Sequence, residues 1–271
     1  MLKRKLKKVG LALGSGGAKG LVHIGVIKEL EKAGIKIDYI AGSSAGSLVG
    51  GLYAYFGEIK PVEEFFSSLT YRKMIELFYD PTTSPGLIKG EKLRKYLDSY
   101  VDGVNIEDLN TSFKAIATNF ITGEMIILDQ GKLSSVIRAS SSVPVALSPF
   151  KIHNQTLADG GLSMSVPVDI ARDMGAKFVA AVNLDSVFFN QKMIEKKGKK
   201  LSAINMADRT LDLLRYSLAK ENCKNADYVI TPNIEDVGWD KFANGREKII
   251  KEGERQGKEL VAFLKKNYRI R

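Results

Sequence analysis

The stretch Ile40-Ala41-Gly42-Ser43-Ser44-Ala45-Gly46-Ser47 decides how this chain is read. It spells G-x-S-x-G about Ser44. The apolar run Ile37 to Ala41 leads in as a strand, and the small, apolar run Ala45 to Phe56 leads out as a helix. A serine on a sharp strand-to-helix turn presents its hydroxyl outward, the setting of a nucleophile elbow. Gly42 and Gly46 belong there because no side chain may crowd the bend. The serine also stands at a helix N-terminus, where N–H groups and the helix dipole favour developing negative charge. The pentapeptide alone recurs by accident in ordinary chains, so its weight depends on what accompanies it.

Upstream, Val9 to Leu13 reads as a strand. Leu21 to Ala33 reads as a helix, with Leu21, Ile24, Ile27 and Leu30 at helical spacing and Gly34 as its stop. Between them lies Gly14-Ser15-Gly16-Gly17-Ala18-Lys19-Gly20. A Walker A loop needs a lysine after its last glycine, and here Lys19 precedes Gly20. A dinucleotide fingerprint fails at its third glycine, where Lys19 stands, although Asp38 lies near the spacing of a ribose-binding acid. An oxyanion hole is the third reading: consecutive small residues expose backbone N–H groups in a concave nest ahead of a helix. A merely tight turn remains the plainer alternative, at the entropic cost of four glycines among seven residues. Strand, loop, helix, strand, elbow and helix in succession argue for a parallel sheet covered by helices.

Downstream, Pro61 to Asp80 is rich in aromatic residues (Phe65, Phe66, Tyr71, Phe78, Tyr79), which with Tyr53, Tyr55 and Phe56 are read first as core and second as a pocket lining or lid. Pro81 to Gly86 is a loop. Gly90 to Val101 and Lys132 to Ser141 read as helices, the latter ending before Pro144. Ser112 to Asn119 and Glu124 to Asp129 form a hairpin about Thr122-Gly123, and Phe150 to His153 with Thr156 to Ala158 a shorter one about Asn154-Gln155. Then Ala158-Asp159-Gly160-Gly161 puts an acid in a tight turn at a strand's C-terminal end, the edge where open α/β sheets bind ligands; an ordinary Asp-Gly turn is the alternative. Val168 to Met174 reads as a helix, Lys177 to Leu184 as a strand, Gln191 to Lys200 as an exposed loop, Leu201 to Cys223 as a helix, Tyr228 to Thr231 as a strand, and Arg246 to Lys266 as a charged amphipathic helix.

With 271 residues the chain is long enough for a sizeable α/β core. Cys223, the single cysteine, excludes an internal disulfide and a cysteine-based zinc site, and suits a reducing compartment. No apolar run reaches the ~20 residues of a membrane span, and the basic start is followed by too short an apolar run for a signal peptide. The expected location is cytoplasmic, with peripheral contact at the inner membrane face. The net charge of +10 gathers in three clusters: Lys3 to Lys8, Lys192 to Lys200, and Lys265 to Arg271. They suit an anionic lipid surface or serve as solvated charge. Nucleic acid is disfavoured, because the basic stretches lack interleaved aromatic residues for base stacking.

A nucleophilic serine needs a base. Only His23 and His153 are available as histidines. Chain order allows a Ser44–Asp129–His153 triad, but no motif supports it. An aspartate is the other choice. Free in water it is a poor base at neutral pH, with a pKa near ~3.9; desolvation raises it. Asp159 in its turn is the best candidate.

G-S-G-G-A-K-G after a strand, G-S-S-A-G, A-S-S-S-V-P at Ala139 to Pro144, and D-G-G appear together in that order. In this the chain resembles the patatin-like phospholipase family over roughly Val9 to Met174. The resemblance implies a three-layer α/β/α fold with a mostly parallel central sheet. It also implies lipid acyl hydrolysis by a Ser–Asp dyad, with no cofactor and no metal. Ser44 would be nucleophile and Asp159 base; Gly16, Gly17, Ala18 and Lys19 would form the oxyanion loop; Gly42, Gly46, Gly160 and Gly161 would be the motif glycines. Ser15 departs from the pattern, standing where many members have glycine. The expected organisation is a basic tail over 1–8, a catalytic domain over 9–174, and a C-terminal part over 175–271 that completes the sheet. The substrate would be a phospholipid, a lysophospholipid or another acyl-ester lipid. A catalytically silent nucleotide- or membrane-binding module on the same fold is the alternative.

Overall fold

In the computed structural model, residues 4–80, 88–144, 146–185, 203–234 and 244–270 are described. In chain order the elements begin with β1 (Arg4–Lys5), β2 (Val9–Leu13), α1 (Leu21–Lys32), β3 (Tyr39–Ser43), α2 (Ala45–Phe56), α3 (Ile59–Ser68), α4 (Tyr71–Phe78) and α5 (Glu91–Tyr100). Then come β4 (Ser112–Asn119), β5 (Met125–Leu128), α6 (Leu133–Ser140), β6 (Phe150–Ile152), β7 (Gln155–Asp159), α7 (Val168–Asp173) and β8 (Phe178–Val182). The chain closes with α8 (Ala203–Asn222), β9 (Tyr228–Ile230), α9 (Arg246–Asn267) and β10 (Tyr268–Arg269).

The main sheet runs β6-β7-β4-β3-β2-β8-β9, with β5 also paired to β4. β4, β3, β2, β8 and β9 are parallel neighbours, whereas β5, β6 and β7 join in antiparallel fashion. β2 and β8 both lie inside the sheet, between other strands, and are buried along their whole length, which is why both are continuous apolar runs. Successive side chains on these strands enter different cores. Leu11, Leu13, Ile40, Ala115, Ala180 and Val182 face the larger one, under α1, α2, α6 and α9. Ala12, Ala41, Ile116, Val179 and Ala181 face the smaller one, under α7 and the end of α8. The period of two thus divides the interior between two helical layers, giving a three-layer α/β/α fold. On the larger core's side, α9 lies along α1, tied at its polar edge by Lys28 to Glu254 at 3.0 Å.

Most expected elements are present within two residues. β3 is shifted along the chain by two residues: it starts at Tyr39 and runs through Ser43, not from Ile37 to Ala41. Gly42 and Ser43 are strand residues despite lacking apolar side chains, because their backbones pair with Leu13 and Ile116 on either side. Of the aromatic-rich segment, Phe65 and Phe66 are core, as read, while Tyr71 and Tyr79 are exposed. The Pro81–Gly86 loop, the Gln191–Lys200 loop with its lysine cluster, and Lys3 and Arg271 lie outside the described residues.

Candidate active site

Ser44 is the single residue between the end of β3 and the start of α2, with φ 52° and ψ −116°. Such a backbone is strained for a non-glycine residue and persists only where the surroundings enforce it. Here they do. A Cβ on Gly46 would sit 2.0 Å from the Leu13 carbonyl oxygen, and one on Gly42 would sit 2.6 Å from the Gly46 carbonyl oxygen, so both motif glycines allow the helix to start against the strands. The Ser44 carbonyl accepts from Ser47 N at 2.9 Å, Leu48 N at 3.1 Å and Ser47 Oγ at 2.6 Å. Its N–H donates to Ser140 Oγ at 3.0 Å.

Asp159 arrives from the opposite direction. β7 is antiparallel to β4, so its C-terminal end comes down into the crevice above the parallel strands. Ile116 pairs with Ser43 on one side of β4, and Ala117 pairs with Asp159 on the other. The acid therefore lies level with the elbow, across one strand. As the sequence suggested, the acid stands at a strand's C-terminal end, ahead of a tight turn. Asp159 Oδ1 accepts from Gly161 N at 2.8 Å, and its backbone carbonyl accepts from Thr118 Oγ1 at 2.8 Å. Gly160 backs onto Ile116 and Gly161 onto Ser15. Oδ2 is buried without a well-formed hydrogen bond. Burial pushes the carboxyl above its ordinary value; the Ser44 hydroxyl, the Arg215 charge and the Gly161 N–H oppose the rise, while Asp185 adds to it. The Ser44 hydroxyl is thus within reach of the carboxyl, in a contact looser than a formed hydrogen bond. Loose geometry of this kind is common before a substrate is bound.

The tract Ala139 to Pro144, legible in the sequence only as a motif, joins the two halves of the site. Ser140 holds the Ser44 N–H, and the Ser142 carbonyl accepts the Asp159 N–H at 3.0 Å. The tract is itself held by Arg138, almost wholly buried, whose guanidinium donates to Ser142 Oγ at 2.7 Å, Lys89 O at 2.7 Å and Ser148 O at 2.9 Å. Burial lowers its pKa to about 10.

The glycine loop leaves β2 beside the elbow. Gly17 has φ 56° and opens a short 3-10 turn over Gly17–Gly20. Among the described residues no acceptor takes the N–H of Gly16, Gly17 or Ala18, whereas the Lys19 N–H is bonded to Gly16 O at 3.2 Å. Lys19 Nζ reaches the Leu184 carbonyl at 3.5 Å. Asp38, the acid a dinucleotide site would need, sits at the other end of the interior strands β2 and β3, where it accepts from Val9 N at 2.9 Å.

His23 is fully buried beneath the glycine loop with Nε2 on Gly14 O at 2.9 Å, and burial lowers its pKa to about 4. His153 occupies the exposed turn between β6 and β7, and Asp129 is exposed and paired to Lys114 at 2.9 Å. Among the described residues no three His, Cys, Asp or Glu side chains gather as a metal site.

Gly17, Ser44 and Ala45 form one end of a cavity holding about 700 Å³ of empty space, counting the part open to solvent. Its remaining wall is almost wholly apolar, with Leu48 from α2, Met74, Leu77 and Phe78 from α4, Leu93 from α5, and Leu147. α4 has a second apolar stripe, with Tyr71, Ile75 and, just past its end, Tyr79 all exposed at four-residue intervals.

A model of the patatin-like phospholipase family matches residues 11–172, more than half of the chain. An uncharacterized NTE family protein of Mycobacterium tuberculosis is 36% identical over 178 residues, covering 66% of this chain and 49% of its own. Lysophospholipase NTE1 of Debaryomyces hansenii is 37% identical over 188 residues, covering 67% of this chain and 12% of its own. The chain thus spans about half, or much less, of the length of these relatives. Among solved structures, VipD from Legionella pneumophila superposes with a TM-score of 0.52 at 14% identity, over 97% of this chain and 71% of VipD. That likeness bears on the fold alone.

Proposed function

The chain belongs to the patatin-like phospholipase family, and on that premise we propose that it is a serine lipid acyl hydrolase cleaving fatty acyl esters of phospholipids or lysophospholipids. The observation that carries this reading is the apolar cavity that ends at Ser44, with Asp159 level with the hydroxyl across one strand. An acyl chain fills the cavity and brings its ester carbonyl to the serine. Ser44 Oγ attacks the carbonyl carbon while Asp159 takes its proton. The N–H groups of Gly16, Gly17 and Ala18 receive the oxyanion, each such donor contributing about 3 kcal/mol in comparable sites. The tetrahedral intermediate collapses: the C–O bond to the alcohol breaks and Asp159 returns its proton to the leaving oxygen. Water then attacks the acyl-Ser44 ester with Asp159 again as base, freeing the fatty acid and restoring the serine. Raised by burial, Asp159 is a stronger base than a solvated aspartate once ionised.

Lipid profiling of the purified chain tests the assignment. Ser44→Ala and Asp159→Asn each lose about three orders of magnitude or more in kcat/KM, and His153→Ala keeps full activity. Retained hydrolysis by Asp159→Asn with loss in His153→Ala transfers the role to a triad. Labelling of Ser44 by a fluorophosphonate separates an enzyme from the silent binding module, which leaves the probe untouched. The exposed stripe of α4, backed by the cavity wall, is the face on which a lipid surface is met; a cytoplasmic protein would meet the inner leaflet.

A further inference from the structure

We propose that Arg215, held by Asp185, is a positioning residue for the Ser44–Asp159 pair: it brings a positive charge to the buried acid and ties the glycine loop to Asp185, just after β8. The proposal rests on the Ser–Asp reading above. Both residues lie beyond residue 172, where the family match ends.

Arg215, Asp185, Ser165 and Ser15 are joined by a run of contacts. Arg215 projects from α8, with Nη2 at 3.3 Å from Asp185 Oδ1 and at 3.3 Å from Ser15 Oγ. Asp185 follows β8 and is fully buried. Its Oδ2 accepts from Ser165 Oγ at 2.5 Å and from Ser15 Oγ at 3.4 Å. The two serine hydroxyls are 2.8 Å apart, and Ser15 N donates to Ser165 O at 2.9 Å. A Cβ on Gly161 would meet Ser15 Oγ at 2.8 Å and Asp159 Oδ1 at 2.9 Å, so this network and the acid flank the same glycine. Ser15 is the residue by which the loop departs from the family pattern. The departure has a physical use: its hydroxyl links the oxyanion loop to Asp185 and Arg215.

A buried carboxylate and a buried Asp185 repel each other, and neither is stable as an anion without a cation nearby. Arg215 supplies it. The charged groups around Asp159 are Arg215 from α8 and Asp185 from the segment after β8, with the neutral Ser44 hydroxyl from the elbow beside it. Lys19 lies close by on the Leu184 carbonyl. His23, with a pKa of about 4, and Cys223, raised to about 12 chiefly by burial, are neutral at working pH. Arg215 thus favours the ionised form of Asp159 that accepts the serine proton.

The test is the pH dependence of kcat/KM on a soluble short-chain p-nitrophenyl ester, with thermal melts as a fold control. In Arg215→Gln the acidic limb moves up by about one pH unit, which lowers activity on that limb about tenfold. Arg215→Lys restores most of the shift. Ser15→Ala removes the link without removing charge, so it lowers kcat and leaves the limb in place. A limb in Arg215→Gln that superimposes on the wild-type limb overturns the proposal, as does a shift that Arg215→Lys fails to reverse. Failure of the Ser–Asp reading looks different: Asp159→Asn itself stays active.

Discussion

Ser44 and Asp159 are brought level by strand register: β4 pairs Ile116 with Ser43 on one edge and Ala117 with Asp159 on the other. Their juxtaposition depends on the backbone ladder of one strand. Ser140 and Ser142 add a second tie, one holding each partner's N–H.

Removing the first of those ties has a defined cost. In Ser140→Ala the buried Ser44 N–H loses its acceptor, and about 1–3 kcal/mol of stability goes with it. The elbow also loses a restraint on its strained backbone, so kcat falls. Ser141→Ala, whose hydroxyl is 3.4 Å from the Ser44 carbonyl, is the control and changes little. Urea unfolding and esterase rates on both variants check the contrast. Equal loss in the two would show that the Ser140 bond is not what holds the bend.

The raised pKa of Asp159 has a consequence for stability. Folding favours its protonated form. Below about pH 4 the acid is protonated in both folded and unfolded chains, and there is no penalty. As pH rises, the unfolded chain ionises first, and this group's contribution to stability falls until the folded carboxyl also ionises. Asp159→Asn removes the titration. It is expected to be more stable than wild type at pH 7 to 8, with the gain vanishing as the pH is lowered to about 3. Unfolding curves at the two pH values decide it, and a gain independent of pH contradicts the sign.

α4 predicts how lipid is approached. Its inner residues Met74, Leu77 and Phe78 line the cavity, while Tyr71, Ile75 and neighbouring Tyr79 face outward. Replacing the three outer residues by serine should weaken binding to phosphatidylglycerol vesicles about tenfold or more. Hydrolysis of a soluble short-chain ester should persist. Added salt should weaken wild-type binding to these vesicles and leave binding to neutral ones unchanged. Vesicle binding by the triple variant at the wild-type level would remove α4 from the lipid-facing surface.

Ser44, the glycine loop and the succession of strands and helices around them were legible from the residues, because each rests on local chemistry. G-x-S-x-G encodes a bend that only glycine neighbours permit, and the period of two or 3.6 follows from which face is buried. Asp159 was legible as an acid in a turn, but its strand direction was not, since β7 reads the same whichever way it enters the sheet. Nor were Ser140 and Ser142 assignable beyond a motif, or Arg138 at all, for Ser44, Asp159 and Lys89, which they hold, lie many residues away in sequence. Arg215 and Asp185 carry no pattern at all. Local sequence therefore determined the bend at Ser44, the glycine-rich loop and the layered α/β plan. The antiparallel arrival of the acid, the apolar cavity and the charge set beside the carboxyl were decided by tertiary structure, because long-range register, enclosure and desolvation exist only after the chain has packed.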